Sequence, residues 1–213
     1  MEDLVIFGAG GMAKEVAGIL VKDINKERPT FRHVAYAVDD EYFQADTELH
    51  GVPIVSRTWL LAHRDDVVCV CAIGYPKERR KAQKDLAEEG IRFVSLLHPT
   101  TRVKEGTTIG NGCIIQPNCA ISLDCRLGDG VFFNGDVNLG HDVILEDYVT
   151  CFPRVQLSGN VFIGEAACIG SMSFINEKRR IGSEAVIAPG SIVFNNVKSG
   201  VHVMGNPAKR VEL

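Results

Sequence analysis

Residues 109–133 read IGNGCIIQPNCAISLDCRLGDGVFF. An apolar residue returns every six positions: Ile109, Ile115, Ile121, Leu127 and Phe133. The series continues through Leu139, Leu145, Cys151, Leu157, Ile163, Ile169, Ile175, Ile181 and Ile187 to Val193, and back through Val103 to Leu97. Four residues after most of these stands a small or β-branched residue, such as Cys113, Cys119, Cys125, Val131 or Val137. A helix repeats about every 3.6 residues and a strand about every 2. A period of six fits a solenoid in which each hexad supplies one short flat side and one corner. Gly, Asn and Asp after the apolar residue suit corners, which need permissive backbone. Three hexads then close one triangular coil, with the six-spaced residue and its small partner pointing inward. Each coil buries the face of the next, so the core is a column. A sandwich of short strands does not explain one phase held for so long.

The chain before this run has a different grammar. Leu4–Phe7 is a buried-strand pattern, followed by Gly8-Ala9-Gly10-Gly11 and a helical stretch over about 12–24. A second strand, 34–38, ends in Asp39-Asp40, and a short helix over 58–63 has Ser56 as its N-cap candidate. A third strand, 67–73, ends in Gly74-Tyr75. A charged helix, 76–89, opens on Pro76 and stops at Gly90. A fourth strand is expected over 93–97, with Pro99 closing the domain. Strands alternating with helices predict a small Rossmann-like parallel sheet of four or five strands. The division expected is therefore 1–98, an α/β domain, and 99–213, an all-β solenoid.

Ligands of such sheets bind at the carboxyl ends of the strands. Those ends are the loop Gly8, Ala9, Gly10 and Gly11, then Asp39 and Asp40, then Gly74 and Tyr75. The glycine loop is close to G-x-G-x-x-G, with Ala13 at the third position. It would cradle phosphate on a helix N-terminus; the alternative is a tight turn that only packs helix on sheet. A dinucleotide site usually needs two such halves, so a mononucleotide, as in a nucleotide-sugar, fits better than a nicotinamide cofactor. Asp39 or Asp40 would accept from base or ribose. Arg79, with Lys77 and Arg80, is a phosphate candidate near a helix start. Arg80, Lys81 and Lys84 read better as a solvated helix face.

Composition removes several classes. The 213 residues carry a net charge of −4, with a pI near 5.9, which gives no basis for nucleic-acid binding. No apolar run approaches membrane-spanning length. The opening MEDLVIFGAGG has neither the basic nor the long apolar region of a signal peptide, so a cytoplasmic location is expected. The seven cysteines fall mostly at inward positions and read as small hydrophobes in a reducing compartment. Cys69-Val70-Cys71 is not a metal-pair spacing, and no metal site is expected.

One hexad carries chemistry: Leu139-Gly140-His141-Asp142-Val143-Ile144. In the corner phase His141 projects outward, and an outward histidine on a rigid coil suits general-base work. Asp142 beside it, or Glu146 one side later, would accept from the second ring nitrogen and fix the tautomer. A covalent route would need a thiol, and the one within reach, Cys151, stands at an inward position where it should be inert.

These segments together resemble the hexapeptide-repeat acyltransferases, whose repeats form a left-handed parallel β-helix, a known exception to right-handed crossovers. A small α/β domain followed by the β-helix is similar to one branch, the bacterial nucleotide-sugar N-acetyltransferases acting on 4-amino-4,6-dideoxy sugars. IFGAGGMAKEV, AIGYPKERR, LGHDVIL and GNPAKR look like that branch's glycine loop, second substrate loop, catalytic hexad and closing motif. The resemblance implies direct transfer from acetyl-CoA, with His141 as general base and Asp142 as its partner. It implies a homotrimer with active sites between subunits and the pantetheine lying along the outside of the coils. The contacts expected there are the Asn134 amide and backbone groups of Gly159, Ser171 and Ala188, with Gly159 also offering an oxyanion N–H. Lys209 and Arg210 would meet CoA phosphates, the alternative being a solvated tail. The related sialic acid O-acetyltransferases make O-acetylation the alternative, and a non-catalytic nucleotide-sugar-binding scaffold is the third reading. Two departures stand out. Met12 occupies a place where some members carry histidine. Arg179 falls at an inward small position, where the coil is expected to bulge.

Overall fold

A computed structural model of the chain describes residues 1–212. The first part is a sheet of β1 (Glu2–Phe7), β2 (Phe31–Val38), β3 (Glu48–Leu49), β4 (Val52–Ser56) and β5 (Val67–Cys71), in the order β3-β4-β2-β1-β5. All neighbours are parallel except β3 with β4. The first helical stretch is longer than expected. It runs from α1 (Gly11–Glu15) through a π-helical turn (Val16–Val21) into α2 (Lys22–Glu27). The short helix α3 (Arg57–Ala62) is capped by Ser56, whose Oγ accepts from the Trp59 N–H at 3.0 Å. The last helix is α4 (Pro76–Glu88). The expected strand at 93–97 splits in two. Phe93 bridges to Cys69 on the α/β sheet, while Leu96–Leu97 is the first rung of the solenoid.

From there the chain winds a left-handed parallel β-helix of two-residue strands. Three sheets form its faces, beginning at Leu96–Leu97, Arg102–Val103 and Thr108–Ile109. Each strand pairs in parallel with the next coil, so Ile115, Phe133, Cys151, Ile169 and Ile187 stack in one inward column. Nearly all the six-spaced residues and their small partners lie in a single core, with Cys113, Cys119, Cys125 and Cys151 fully buried in it. The column is capped by His202–Met204 and the antiparallel Lys209–Val211.

The corners depend on one backbone state. At every sixth position from Gly106 to Gly190 the residue has φ between 54° and 75°. Glycine, asparagine and aspartate accept this at small cost, but Tyr148, Arg154, Ala166, Met172, Lys178 and Glu184 also adopt it. They are held there because each N–H donates to a carbonyl of the preceding coil, as Tyr148 does to Asp129 at 2.7 Å and Lys178 to Gly159 at 3.0 Å. The bulge expected at Arg179 is absent. Its carbonyl still accepts from Phe162 N–H at 2.9 Å, and its side chain turns back so that Nε donates to the Glu177 carbonyl at 2.9 Å. A long side chain leaves through the corner, and the ladder is undisturbed.

The α/β domain lies on the first face. Leu96, Ile114 and Phe132, the outward residues of that face, share a core with Leu4, Ile6, Ala13, Val16 and Leu20. Polar contacts fasten both margins. His98 Nε2 meets Asp23 of α2 at 3.1 Å. On the other margin Lys77 and Arg80 reach Glu184 at 2.8 Å each, and Lys84 reaches Glu165 at 3.2 Å. The hydrogen bonds from Lys77 and Arg80 hold the Glu184 carboxyl below its ordinary pKa. Arg80, its side chain 26% exposed, is therefore not a solvated side chain, whereas Lys77 and Lys84 stay more than half exposed in their ion pairs. All three dock α4 on the β-helix.

Candidate active site

His141 stands at the corner between the second and third faces, the edge opposite the face that carries the α/β domain. Gly140 precedes it because a Cβ there would stand 2.6 Å from the Gly159 nitrogen of the next coil. Asp142 follows in the left-handed state, φ 57°, with its N–H on the Leu123 carbonyl at 3.0 Å. That conformation carries its carboxylate back to the ring, where Oδ2 lies 2.7 Å from His141 Nδ1. Glu146, the other candidate partner, instead accepts from Glu165 N–H at 2.9 Å. An Nδ1–H donated to Asp142 leaves Nε2 with its lone pair directed outward. The imidazole overlies Gly159, whose absent Cβ would fall 2.7 Å from Nε2. On another edge the N–H groups of Asn111, Asp129 and Glu165 are capped by carboxylates of the neighbouring coil. Among the described residues the Gly159 N–H has no such partner. A base and a free N–H thus stand side by side on a rigid corner.

The second element is a cavity of about 540 Å³ at the carboxyl ends of the α/β strands. It brings together Gly8, Gly10, Gly11, Met12, Asp39, Gly74 and Tyr75. Gly8 is required by geometry. Its φ is +114°, and a Cβ would stand 2.9 Å from the Ala72 carbonyl oxygen. Gly10 and Gly11 face open space, with nothing within 4 Å of where their Cβ would be. Asp39 lines the cavity and is held by Arg57 at 3.2 Å. Tyr42, 70% exposed, stands on the same lining and was not foreseen; the only sequence signal was an aromatic residue in the loop after Asp39.

Two expected substrate contacts are corrected. The Asp40 carboxylate accepts from both Thr58 N–H, at 3.0 Å, and Thr58 Oγ1, at 2.7 Å. Those bonds hold its pKa below the usual carboxylate value and spend it on the start of α3. Arg79 is fully buried, and protein atoms take all five of its N–H donors. It cannot also meet a phosphate.

The residues expected along the pantetheine do not share one edge. Gly159 lies beside His141, whereas Asn134, Ser171 and Ala188 follow the strands of the first face and line the corner leading to the second. Asn134 Oδ1 accepts from Gly135 N–H at 2.8 Å, and no partner of its amide NH₂ occurs among the described residues. Ala188 is a poor backbone donor. Its N–H is bound to Val203, and its carbonyl accepts from the hydroxyls of Ser173 and Ser191. Lys209 is exposed on the closing strand.

Burial raises every cysteine thiol, Cys151 well above its ordinary value and Cys71 to about 12. A thiol-reactive disulfide reagent at pH 8 should therefore leave the folded chain unmodified for minutes and its activity intact. Rapid loss of activity with labelling of Cys151 would revive a covalent route. Gly8→Ala should destabilise the chain by about 1–3 kcal/mol, read by thermal unfolding; an unaltered midpoint would show that the loop can relax.

Residues 3–86 match the family model described as the PglD N-terminal domain. The chain is 31% identical over 215 residues to GDP-perosamine N-acetyltransferase of Escherichia coli O157:H7, covering 97% of this chain and 95% of the relative. It belongs to the hexapeptide-repeat sugar acetyltransferases. Several solved structures are similar over the whole length, two of them as follows. The acetyltransferase domain of PglB from Neisseria gonorrhoeae FA1090, in complex with acetyl coenzyme A, gives a TM-score of 0.87 at 27% identity, with 99% of each chain covered. PerB from Caulobacter crescentus, in complex with CoA and GDP-perosamine, gives 0.86 at 25% identity, covering 100% of this chain and 98% of that one.

Proposed function

We propose that this protein transfers an acetyl group from acetyl-CoA to the amine of a nucleotide-linked amino sugar, of the 4-amino-4,6-dideoxy class. The observation that carries the reading is His141, its Nδ1 tied to Asp142 at 2.7 Å and its Nε2 beside an unpartnered Gly159 N–H. The similarity to a GDP-perosamine N-acetyltransferase and to structures holding CoA supports the donor and acceptor class. The neutral amine adds its lone pair to the thioester carbonyl carbon while His141 Nε2 takes the proton. The Gly159 N–H stabilises the oxyanion. Collapse breaks the carbon–sulfur bond, and the proton on Nε2 passes to the leaving thiolate. This is one direct displacement with no acyl-enzyme.

The α/β domain would hold the nucleotide, through the glycine loop, Asp39, Gly74 and Tyr75, and the β-helix, which starts at Leu96 rather than after residue 98, would carry the transfer. The cavity and His141 lie on opposite sides of one β-helix, which favours a homotrimer in which neighbouring subunits complete each site. Asn134 and Ser171 would then face the donor from an edge other than that of Gly159, with Lys209 near its phosphates. No helix among the described residues is long and apolar enough to cross a membrane; a cytoplasmic location is part of the proposal. The test is thiol release from acetyl-CoA against UDP- and GDP-linked 4-amino sugars and free sialic acid. Release with a nucleotide 4-amino sugar supports the reading. Release with sialic acid alone would replace it by O-acetylation, and release with none would leave a binding scaffold.

A further inference from the structure

Among the described residues Arg79 has no counterion. Nε donates to the Gly130 carbonyl at 2.9 Å, and Nη2 to the Tyr148 carbonyl at 2.9 Å and Thr150 Oγ1 at 2.8 Å. These acceptors belong to the β-helix. Nη1 donates to the carbonyls of Ile73, at 2.9 Å, and Gly74, at 3.1 Å. Both of those residues line the α/β cavity. Burial draws the guanidinium pKa down to about 10, which leaves it cationic near neutral pH.

Docking alone does not require this arrangement. The apolar seam of Leu96, Ile114 and Phe132 already joins the two parts, and Lys77, Arg80 and Lys84 add ion pairs at the margin. A buried cation is a costly way to add adhesion, because well-packed apolar residues often do as well or better. A guanidinium offers direction instead, five donors in a rigid plane. Here two point at the cavity wall and three at two successive coils. We infer that Arg79 is a positioning residue, which sets the cavity wall at 73–75 at a fixed place relative to the β-helix and so sets where a bound nucleotide delivers its sugar. This rests on the proposed reading of the cavity as a nucleotide-sugar site. In an assembly packed through the β-helices, the reach from one subunit's cavity to the next subunit's histidine edge depends on this setting.

Arg79→Lys keeps a charge but loses the fork, and Thr150→Val removes one acceptor on the β-helix while leaving the loop contacts. For each variant the measurements are thermal midpoint, hydrogen exchange by peptide, and steady-state kinetics with acetyl-CoA and a nucleotide 4-amino sugar. For Arg79→Lys, kcat/KM for the sugar should fall by about 10²-fold, with the KM for acetyl-CoA within about twofold. Exchange should rise in the peptide containing 73–75 and stay unchanged in the strands of the second and third faces. Thr150→Val should give the same pattern, smaller. Equal loss toward both substrates, or faster exchange throughout the β-helix, would make Arg79 a plain stability residue and overturn the inference. So would unaltered kinetics. If the wild type acetylates no nucleotide sugar, the proposed function falls and exchange alone decides. A rise confined to 73–75 then supports the positioning role, and a general rise or none refutes it.

Discussion

His141→Ala should lower turnover by about 10²–10⁴-fold while leaving the fold and the KM for acetyl-CoA nearly unchanged. The imidazole is 60% exposed, and among the described residues its hydrogen bond runs only to Asp142, itself 53% exposed. Nothing in the core depends on it, so an activity loss cannot be assigned to unfolding. Residual turnover should persist, because holding donor and acceptor together is itself catalytic. Steady-state kinetics with matched thermal unfolding checks the expectation, and a variant with full activity would remove His141 from the reaction.

Gly159→Ala is the companion result. Its φ is not in the left-handed region, so the backbone accepts alanine. The added methyl would stand 2.7 Å from His141 Nε2, 2.8 Å from Cε1 and 3.2 Å from Cδ2. The ring must swing away, and the Nδ1 bond to Asp142 is lost or lengthened. Turnover should fall by about 10²-fold, and His141→Ala placed on top should cost little more, since residues acting as a unit are not additive. Additive losses would mean that the two positions serve separate steps.

Both expectations trace to a site that was partly legible in the sequence. The six-residue period is a local signal repeated coil after coil, so the solenoid, its inward cysteines and the outward face of His141 could be read from spacing alone. Arg79 could not be read. It occupies the first turn of a charged helix, and three of its acceptors lie 51, 69 and 71 residues away. Asp39 and Asp40 are the same residue type side by side, and what separates them is Thr58, brought to Asp40 by the fold. Arg179 broke the pattern in sequence yet not in structure, because a corner gives a long side chain a way out that a strand centre would not.

The regular coil also bears on how the chain assembles. Strand partners such as Leu127 and Leu145, or Leu139 and Leu157, are eighteen residues apart, and only the last coil is shorter, with Val186 and His202 sixteen apart. Closing each coil costs nearly the same modest loop entropy, so growth from any first pair of coils repeats one inexpensive step. The Arg80–Glu184 and Lys84–Glu165 contacts span 104 and 81 residues. They can form only after the coils beneath them exist. Refolding then divides into an early zipper and a late latch. Glu184→Gln should leave the early phase of a stopped-flow trace unaltered and change only the later one; a change in the early phase would mean that the latch forms before the column it closes over.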